Sequence, residues 1–103
     1  GEEAKVKVLF RNTDKSDSFI VFQNTPNPFK NETEIKFSLT QNANVELNVF
    51  DITGKIVYKT SGDFVKGISR FVVKSADLSS KGVFYYSLTS NGNKSTKKMI
   101  VID

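Results

Sequence analysis

Between Asn44 and Thr60 the chain reads N-V-E-L-N-V-F-D-I-T-G-K-I-V-Y-K-T. Val45, Leu47 and Val49 alternate with Glu46 and Asn48, a period of two that makes one face of a strand apolar and the other wet. The alternation then slips, because Phe50 and Ile52 are also apolar. Either the strand is covered on both faces there or a bulge resets the register. Asp51-Ile52-Thr53-Gly54 follows. Asp bonds its own backbone two residues on and Gly accepts positive φ, so this is a tight turn. Ile56, Val57 and Tyr58 restart a strand. The result is a β-hairpin, which is marginal alone and needs a second apolar layer.

The rest of the chain supplies that layer in short pieces. Lys5 to Phe10 alternates charged and apolar residues and predicts a strand. Arg11 to Ser18 is wholly polar and reads as a linker. Phe19 to Phe22 is a continuous apolar run, which predicts a strand covered on both sides. Gln23 to Lys30 contains Pro26 and Pro28, which lack N–H donors and bias Thr25 and Asn27 towards extended backbone. It cannot be a central strand. It is expected to be a rigid crossover that delivers Phe29 to the core, with docking into an aromatic-lined groove as the rival role. Glu34 to Thr40 predicts a strand with Ile35, Phe37 and Leu39 on one face.

Gln41 to Asn44 and Ser61 to Asp63 read as turns, and Phe64-Val65 as a loop anchor. Ile68 to Lys74 predicts a strand with Phe71 and Val73 inward. Ser75 to Lys81 is a polar connection carrying one apolar residue, Leu78. Val83 to Thr89 and Lys97 to Asp103 close the series around Asn91-Gly92, a strong hairpin signal. No segment has apolar residues at helical spacing over three turns. Seven or eight strands at hairpin spacing in about 100 residues predict an all-β, immunoglobulin-like antiparallel sandwich. Leu78, Gly82 and the following tyrosines fit a tyrosine corner, made by Tyr85 or Tyr86, whose hydroxyl would bond back to the preceding crossover.

Composition narrows the chemistry. The chain has 103 residues, enough for one domain with one core. There is no Cys, which excludes disulfides, thiolate metal sites and cysteine nucleophiles. There is no His, which removes the commonest general base and metal ligand. Glu32 and Glu34 share a strand face, but flanking Lys30 and Lys36 make that face a solvated one. The chain is therefore read as no enzyme, with no catalytic residue, cofactor or metal. The net charge of +4 is spread out. Only Lys94-Ser95-Thr96-Lys97-Lys98 clusters, without interleaved aromatics, so no nucleic-acid partner is expected. No apolar run approaches the ~18 residues of a membrane span. No signal peptide opens the chain, and Gly1-Glu2-Glu3 reads as the cut end of a longer protein.

Four stretches carry a resemblance. F-Q-N-T-P-N-P-F-K-N-E-T-E-I-K-F-S-L (Phe22 to Leu39) is similar to the opening of the type A C-terminal sorting domain of the type IX secretion system of Bacteroidetes. The matching positions are Pro26, Asn27, Pro28 and Phe29. V-F-D-I-T-G-K-I-V (Val49 to Val57) resembles the family's strand–D-x-x-G–strand signature through Asp51 and Gly54. Leu78 to Leu88 resembles its L-x-x-G-V-Y-x-Y-x-L segment through Gly82 and Tyr85. K-K-M-I-V-I-D resembles its basic-then-apolar ending. The order is right, and the stretches span about residues 19 to 103. The family often has Tyr where this chain has Phe50 and Phe84, and often ends on Lys or Arg where this chain has Asp103.

The resemblance implies a role. Such a domain, here residues 19–103, ends a larger cargo protein that crosses the inner membrane by its own signal. It passes through the periplasm and is recognised by the outer-membrane translocon and its shuttle protein. A surface sortase then cuts before the domain, and the cargo is anchored at the surface or released. Residues 1–18 would be the end of the preceding cargo module and a linker, with Lys5 to Phe10 belonging to that module or capping the sandwich. The cleavage zone is expected at Asn12, Thr13, Asp14, Lys15, Ser16 and Asp17, since exposed polar backbone suits a protease.

Recognition by the translocon is expected at the last strand, through Lys97, Lys98, Met99, Ile100 and Val101. A terminal strand at a sheet edge offers unpaired backbone groups, and the lysines steer docking to an acidic surface. The rival reading of Lys97 and Lys98 is that they only guard the edge against aggregation. Two other functions compete: an immunoglobulin-like spacer, and a carbohydrate-binding module. The second wants exposed planar aromatics and meets a chain without Trp. Asn31-Glu32-Thr33 and Asn93-Lys94-Ser95 match the N-glycosylation pattern; in a bacterial protein they are read as chance.

Overall fold

Seven strands and one short helical turn account for the regular structure of the computed structural model, which describes residues 19–78 and 80–103. They are β1 (Phe19–Val21), β2 (Glu32–Leu39), β3 (Ala43–Phe50), β4 (Ile56–Phe64), β5 (Gly67–Lys74), a 3₁₀ turn at Ser75–Asp77, β6 (Gly82–Ser90) and β7 (Asn93–Val101). The predicted strand at Lys5 to Phe10 and the cleavage zone at Asn12 to Asp17 lie outside the described residues.

The strands form two antiparallel sheets, ordered β1-β2-β5 and β4-β3-β6-β7. Period-two alternation explains how they face each other. On β2, Thr33, Ile35, Phe37 and Leu39 are buried; on β3, Val45, Leu47 and Val49; on β6, Phe84, Tyr86 and Leu88; on β7, Met99 and Val101. The apolar ones among them, with Phe71 and Val73 of β5, fill one core between the sheets. This is the immunoglobulin-like sandwich that the pattern predicts. At one end Phe37, Phe64 and Phe71 form an aromatic trio with centroids 4.9 to 5.4 Å apart.

The slip after Val49 is a register shift between Val49 and Phe50. Val49 pairs with Tyr58 and Phe50 with Ile56, so β4 spends an extra residue at Val57. Asp51 closes the turn. Its Oδ1 accepts the backbone N–H groups of Thr53 (2.9 Å) and Lys55 (3.1 Å), and Gly54 sits at φ +92°. The hydroxyl of Thr53 also donates to Asp51, and this bond is the main reason the carboxyl titrates below the ordinary Asp range.

Three local expectations are corrected. Phe19 to Phe22 is an edge strand covered on one side: Val21 is buried while Ile20 and Phe22 are more than 40% exposed. Ser61 to Asp63 is no turn. It continues β4 against Glu46, Val45 and Asn44 of β3, because sheet pairing overrides the local preference of Ser-Gly-Asp. Gly62 has a packing role there, since a Cβ on it would stand 3.3 Å from the Phe64 ring. The turn at Gln41 to Asn44 is shorter than expected, because β3 begins at Ala43. Asn42 Oδ1 there accepts the Lys66 N–H at 2.9 Å, tying two sheet-to-sheet connections together.

Candidate functional site

The final strand and the proline-containing segment meet along one side of the sandwich. Ser90 and Asn93 are joined by Asn91 (φ 49°) and Gly92 (φ 82°), both in left-handed conformation, as a two-residue type I′ hairpin requires. Antiparallel pairing alternates, so odd-numbered β7 residues bond to β6 and Lys94, Thr96, Lys98 and Ile100 turn their backbone groups outward. β7 has no neighbouring strand on that side. The terminal strand is at an edge, as its sequence suggests.

The edge is only half open. Pro26 and Pro28 have no N–H, so Gln23 to Phe29 cannot form a ladder of its own and instead straps one sheet to the other. At its start, Thr25 and Glu34 exchange two backbone hydrogen bonds of 2.9 Å each, on the β2 side. At its end, the Phe29 N–H donates to the Ile100 carbonyl (3.0 Å) and the Ile102 N–H donates to the Phe29 carbonyl (2.9 Å). Asn27 Oδ1 accepts the Ile100 N–H (3.0 Å), and Gln23 Nε2 donates to the Lys98 carbonyl (2.7 Å). The ring of Phe29 is buried in the core. The expected crossover role of this segment is what the structure displays. Among the described residues, nothing pairs with the outward groups of Lys94 and Thr96.

Asn24 and Tyr86 hold the strap from beneath. Asn24 is buried. Its Nδ2 donates to the Pro26 carbonyl (3.1 Å) and to Thr33 Oγ1 (3.0 Å). The Tyr86 hydroxyl accepts the Asn24 N–H (2.9 Å) and donates to the Phe22 carbonyl (3.0 Å). Burial pushes this phenol up to about 12, against a partial opposing effect of the Asn24 hydrogen bond. Of the two tyrosines open for a corner, Tyr86 makes the bonds and Tyr85 is 40% exposed on the outer face. The bonds also go to the strap and not to the crossover before β6. The reason is parity: Tyr86 shares the inward face with Phe84 and Leu88. That alternation identifies Tyr86 in the sequence. Gln23 and Asn24 carry no comparable signal, since their role depends on where the strap lands.

The remaining candidate residues fall into place around this frame. Pro26, Asn27 and Pro28 are exposed along the strap. Asp51 and Gly54 form the β3–β4 turn. Gly82 opens β6 at φ +117°, a backbone that favours glycine. Lys97 is half-buried and Lys98 exposed, whereas Met99 and Val101 are core residues and Ile100 is half-buried. The last three of the five residues in the expected recognition stretch therefore hold the strand in place more than they face solvent. Lys81 pairs with Asp103 at 3.0 Å across exposed surface, and Arg70 pairs with Glu34 at 3.3 Å. Among the described residues, no three His, Cys, Asp or Glu gather as metal ligands, and no helix is long and apolar enough to cross a membrane.

The fold and its strapped edge define an immunoglobulin-like β-sandwich module. Comparison with known proteins is more specific. The family model described as a secretion system C-terminal sorting domain matches residues 25–102, and the chain belongs to that family, the sorting domains of the type IX secretion system. It is thus a sorting signal carried by a larger cargo protein and serves export across the outer membrane to the cell surface. A sorting domain is not catalytic. The family match decides against the spacer and carbohydrate-binding readings.

Solved structures agree on the fold. Latent dimeric PorU from Porphyromonas gingivalis matches with a TM-score of 0.62 at 22% identity, over 82% of this chain and 9% of that one. The sensor domain of an anti-sigma factor from Pseudobacteroides cellulosolvens matches with 0.52 at 14% identity, over 82% and 90%. A CARDB domain from Pyrococcus furiosus matches with 0.50 at 14% identity, over 82% and 87%. The chain spans less than a tenth of the length of PorU. Among curated proteins, none matches the chain.

Proposed function

We propose that residues 19–103 act as a folded export tag, read at the periplasmic side of the outer membrane by the type IX translocon and its shuttle protein, and then removed by a surface sortase. Residues 1–18 join the tag to the cargo, and the cut falls within Asn12 to Asp17. The family match over residues 25–102 carries this reading. The polar composition of Arg11 to Ser18 supports the position of the cut, because proteases need accessible extended backbone.

Within the tag, the last strand is the recognition element. Lys97 and Lys98 steer the encounter with an acidic surface. Met99 and Val101 anchor the strand in the core, and the strap presents it in one position. The test is a reporter fused to the whole chain in a bacterium with a working type IX system, compared with the same fusion carrying Lys97→Glu and Lys98→Glu. The reading expects surface delivery of the first, with a new reporter terminus between residues 12 and 17 by mass spectrometry, and periplasmic retention of the second. Equal export of both sinks the role of the last strand. A terminus elsewhere sinks the cleavage zone.

A further inference from the structure

The two sheets have four edges, and these differ in how they are guarded. β1, β5, β4 and β7 each have a neighbouring strand on one side only among the described residues. β1 is short, and the strap covers the C-terminal half of β7. The charged residues of β5 are Arg70 and Lys74, and those of β7 are Lys94, Lys97 and Lys98. Two copies of an edge with one sign of charge repel each other. β4 is different. It is nine residues long and carries Lys59 and Asp63, one charge of each sign. The extra residue at Val57 lies near its start and leaves Tyr58 to Phe64 regular.

Pairing parity fixes which way the backbone of β4 points. Odd-numbered residues of β7 bond to even-numbered residues of β6, so the odd-numbered residues of β6 turn to β3. Tyr85, Ser87 and Thr89 stand opposite Phe50, Asn48 and Glu46, which leaves Val45, Leu47 and Val49 to bond to β4. Their partners there are Gly62, Thr60 and Tyr58. Lys59, Ser61 and Asp63 therefore turn their N–H and carbonyl groups to the open side. Among the described residues, nothing bonds to those groups.

We infer that this edge pairs antiparallel with the same edge of a second copy, about a two-fold axis at Ser61. In that register Lys59 of each copy faces Asp63 of the other, and Ser61 faces Ser61. Each of these pairs exchanges both backbone hydrogen bonds. Tyr58 faces Phe64 and Thr60 faces Gly62, at the sites between, where opposing side chains stand closest. Tyr58 and Phe64 are half-buried and pack against the core, so their pairing continues the core from one copy into the next. Aromatic and opposite-charge pairs are among those that stabilise antiparallel strands. The neighbouring registers set Lys59 or Asp63 opposite Ser61 and lose both ion pairs. The charge pattern thus selects a second copy of this chain. Both side chains are already held on the outer face of the sheet, Lys59 by Glu46 at 3.5 Å and Asp63 by the Asn44 amide at 3.0 Å. One strand pair is smaller than a standard interface, so the dimer is a reversible one. It uses neither β7 nor the strap, and it does not depend on how the tag is read.

Disulfide trapping of the whole chain tests it, because the chain has no Cys. Ser61→Cys sets a thiol opposite its own copy at about 5.5 Å between Cα atoms, within the ~4.4–6.8 Å reach of a disulfide. In a glutathione redox buffer the proposal expects a disulfide-linked dimer from Ser61→Cys. It expects mostly monomer from Ser80→Cys, which is exposed away from this edge. Adding Lys59→Asp to Ser61→Cys should weaken trapping by about tenfold, the scale of two ion pairs turned to repulsion. Adding Asp63→Lys as well should restore it. Thermal unfolding of each variant shows that it is folded. Sedimentation of the unsubstituted chain up to about millimolar concentration should show a reversible dimer. A monomeric Ser61→Cys chain overturns the proposal, as does equal trapping at Ser80→Cys. Trapping indifferent to Lys59→Asp overturns it too. Stronger trapping by Thr60→Cys than by Ser61→Cys overturns the register, and with it the charge pairing on which the proposal stands.

Discussion

Phe29 is bridged in parallel to Val101, in a molecule whose strands otherwise pair antiparallel. Its backbone takes the Ile100 carbonyl and the Ile102 N–H, while its ring lies in the core. One residue therefore closes the exposed edge of the terminal strand and plugs the gap between the sheets. The two prolines make this possible by preventing the segment from joining either sheet as a regular strand.

Phe29→Ala should cost about 3–5 kcal/mol, the range for deleting a buried aromatic ring. It should also loosen the strap and expose the backbone of Lys98 to Ile102, an edge open to other chains. Urea unfolding measures the first effect and light scattering the second. Asn27→Ala removes only the cap on the Ile100 N–H and should cost about 0.5–1.5 kcal/mol, the net value of one hydrogen bond.

Tyr86→Phe keeps the ring in place and removes two hydrogen bonds, leaving the Asn24 N–H and Phe22 carbonyl unpaired. The expected loss is about 1–3 kcal/mol in denaturant unfolding. Tyr85→Phe, on the outer face, should change stability by less than about 0.5 kcal/mol. A reversed order would contradict the assignment of the corner to Tyr86.

Tyr86 also predicts an alkaline effect. Its phenol ionises near 12 in the folded chain against 10.0 for a free one, so folding favours the neutral form. The stability it contributes is whole below pH 10 and is lost as pH rises through 12. The gap between the wild-type chain and Tyr86→Phe should therefore narrow between about pH 10 and pH 12, read as urea midpoints at each pH. A constant gap would contradict the prediction.

Asp51 behaves in the opposite sense. Its folded-state pKa lies below the ordinary Asp value of 3.8, so its stabilising effect is present above that value and disappears as pH falls through the lowered one. Asp51→Ala should lower the urea midpoint near pH 7 and make little difference near pH 2. The same loss at both values would place the effect in turn geometry and not in the carboxylate.

The sandwich was legible in the sequence because period-two alternation encodes which face is inward, and both sheets bury one face. Val45, Leu47, Val49, Ile35, Phe37 and Leu39 were readable on that ground alone. Ser61 to Asp63 was not, because its composition favours a turn and only pairing with Asn44 to Glu46 makes it strand. Phe19 to Phe22 misled in the other direction: four apolar residues look doubly covered, and only their place at a sheet edge leaves Ile20 and Phe22 exposed. The strap was visible as a proline-fixed crossover. Its landing on Ile100 and Ile102, some 70 residues onward, is a tertiary contact with no local signature.

The most direct test of the central claim is the fate of one fusion in two hosts. A periplasmic reporter ending in this chain is produced in a bacterium with a working type IX system and in a sibling lacking the translocon. The account predicts reporter at the surface or in the medium of the first and trapped in the periplasm of the second. Retention in the periplasm of both, with the domain folded, would contradict it.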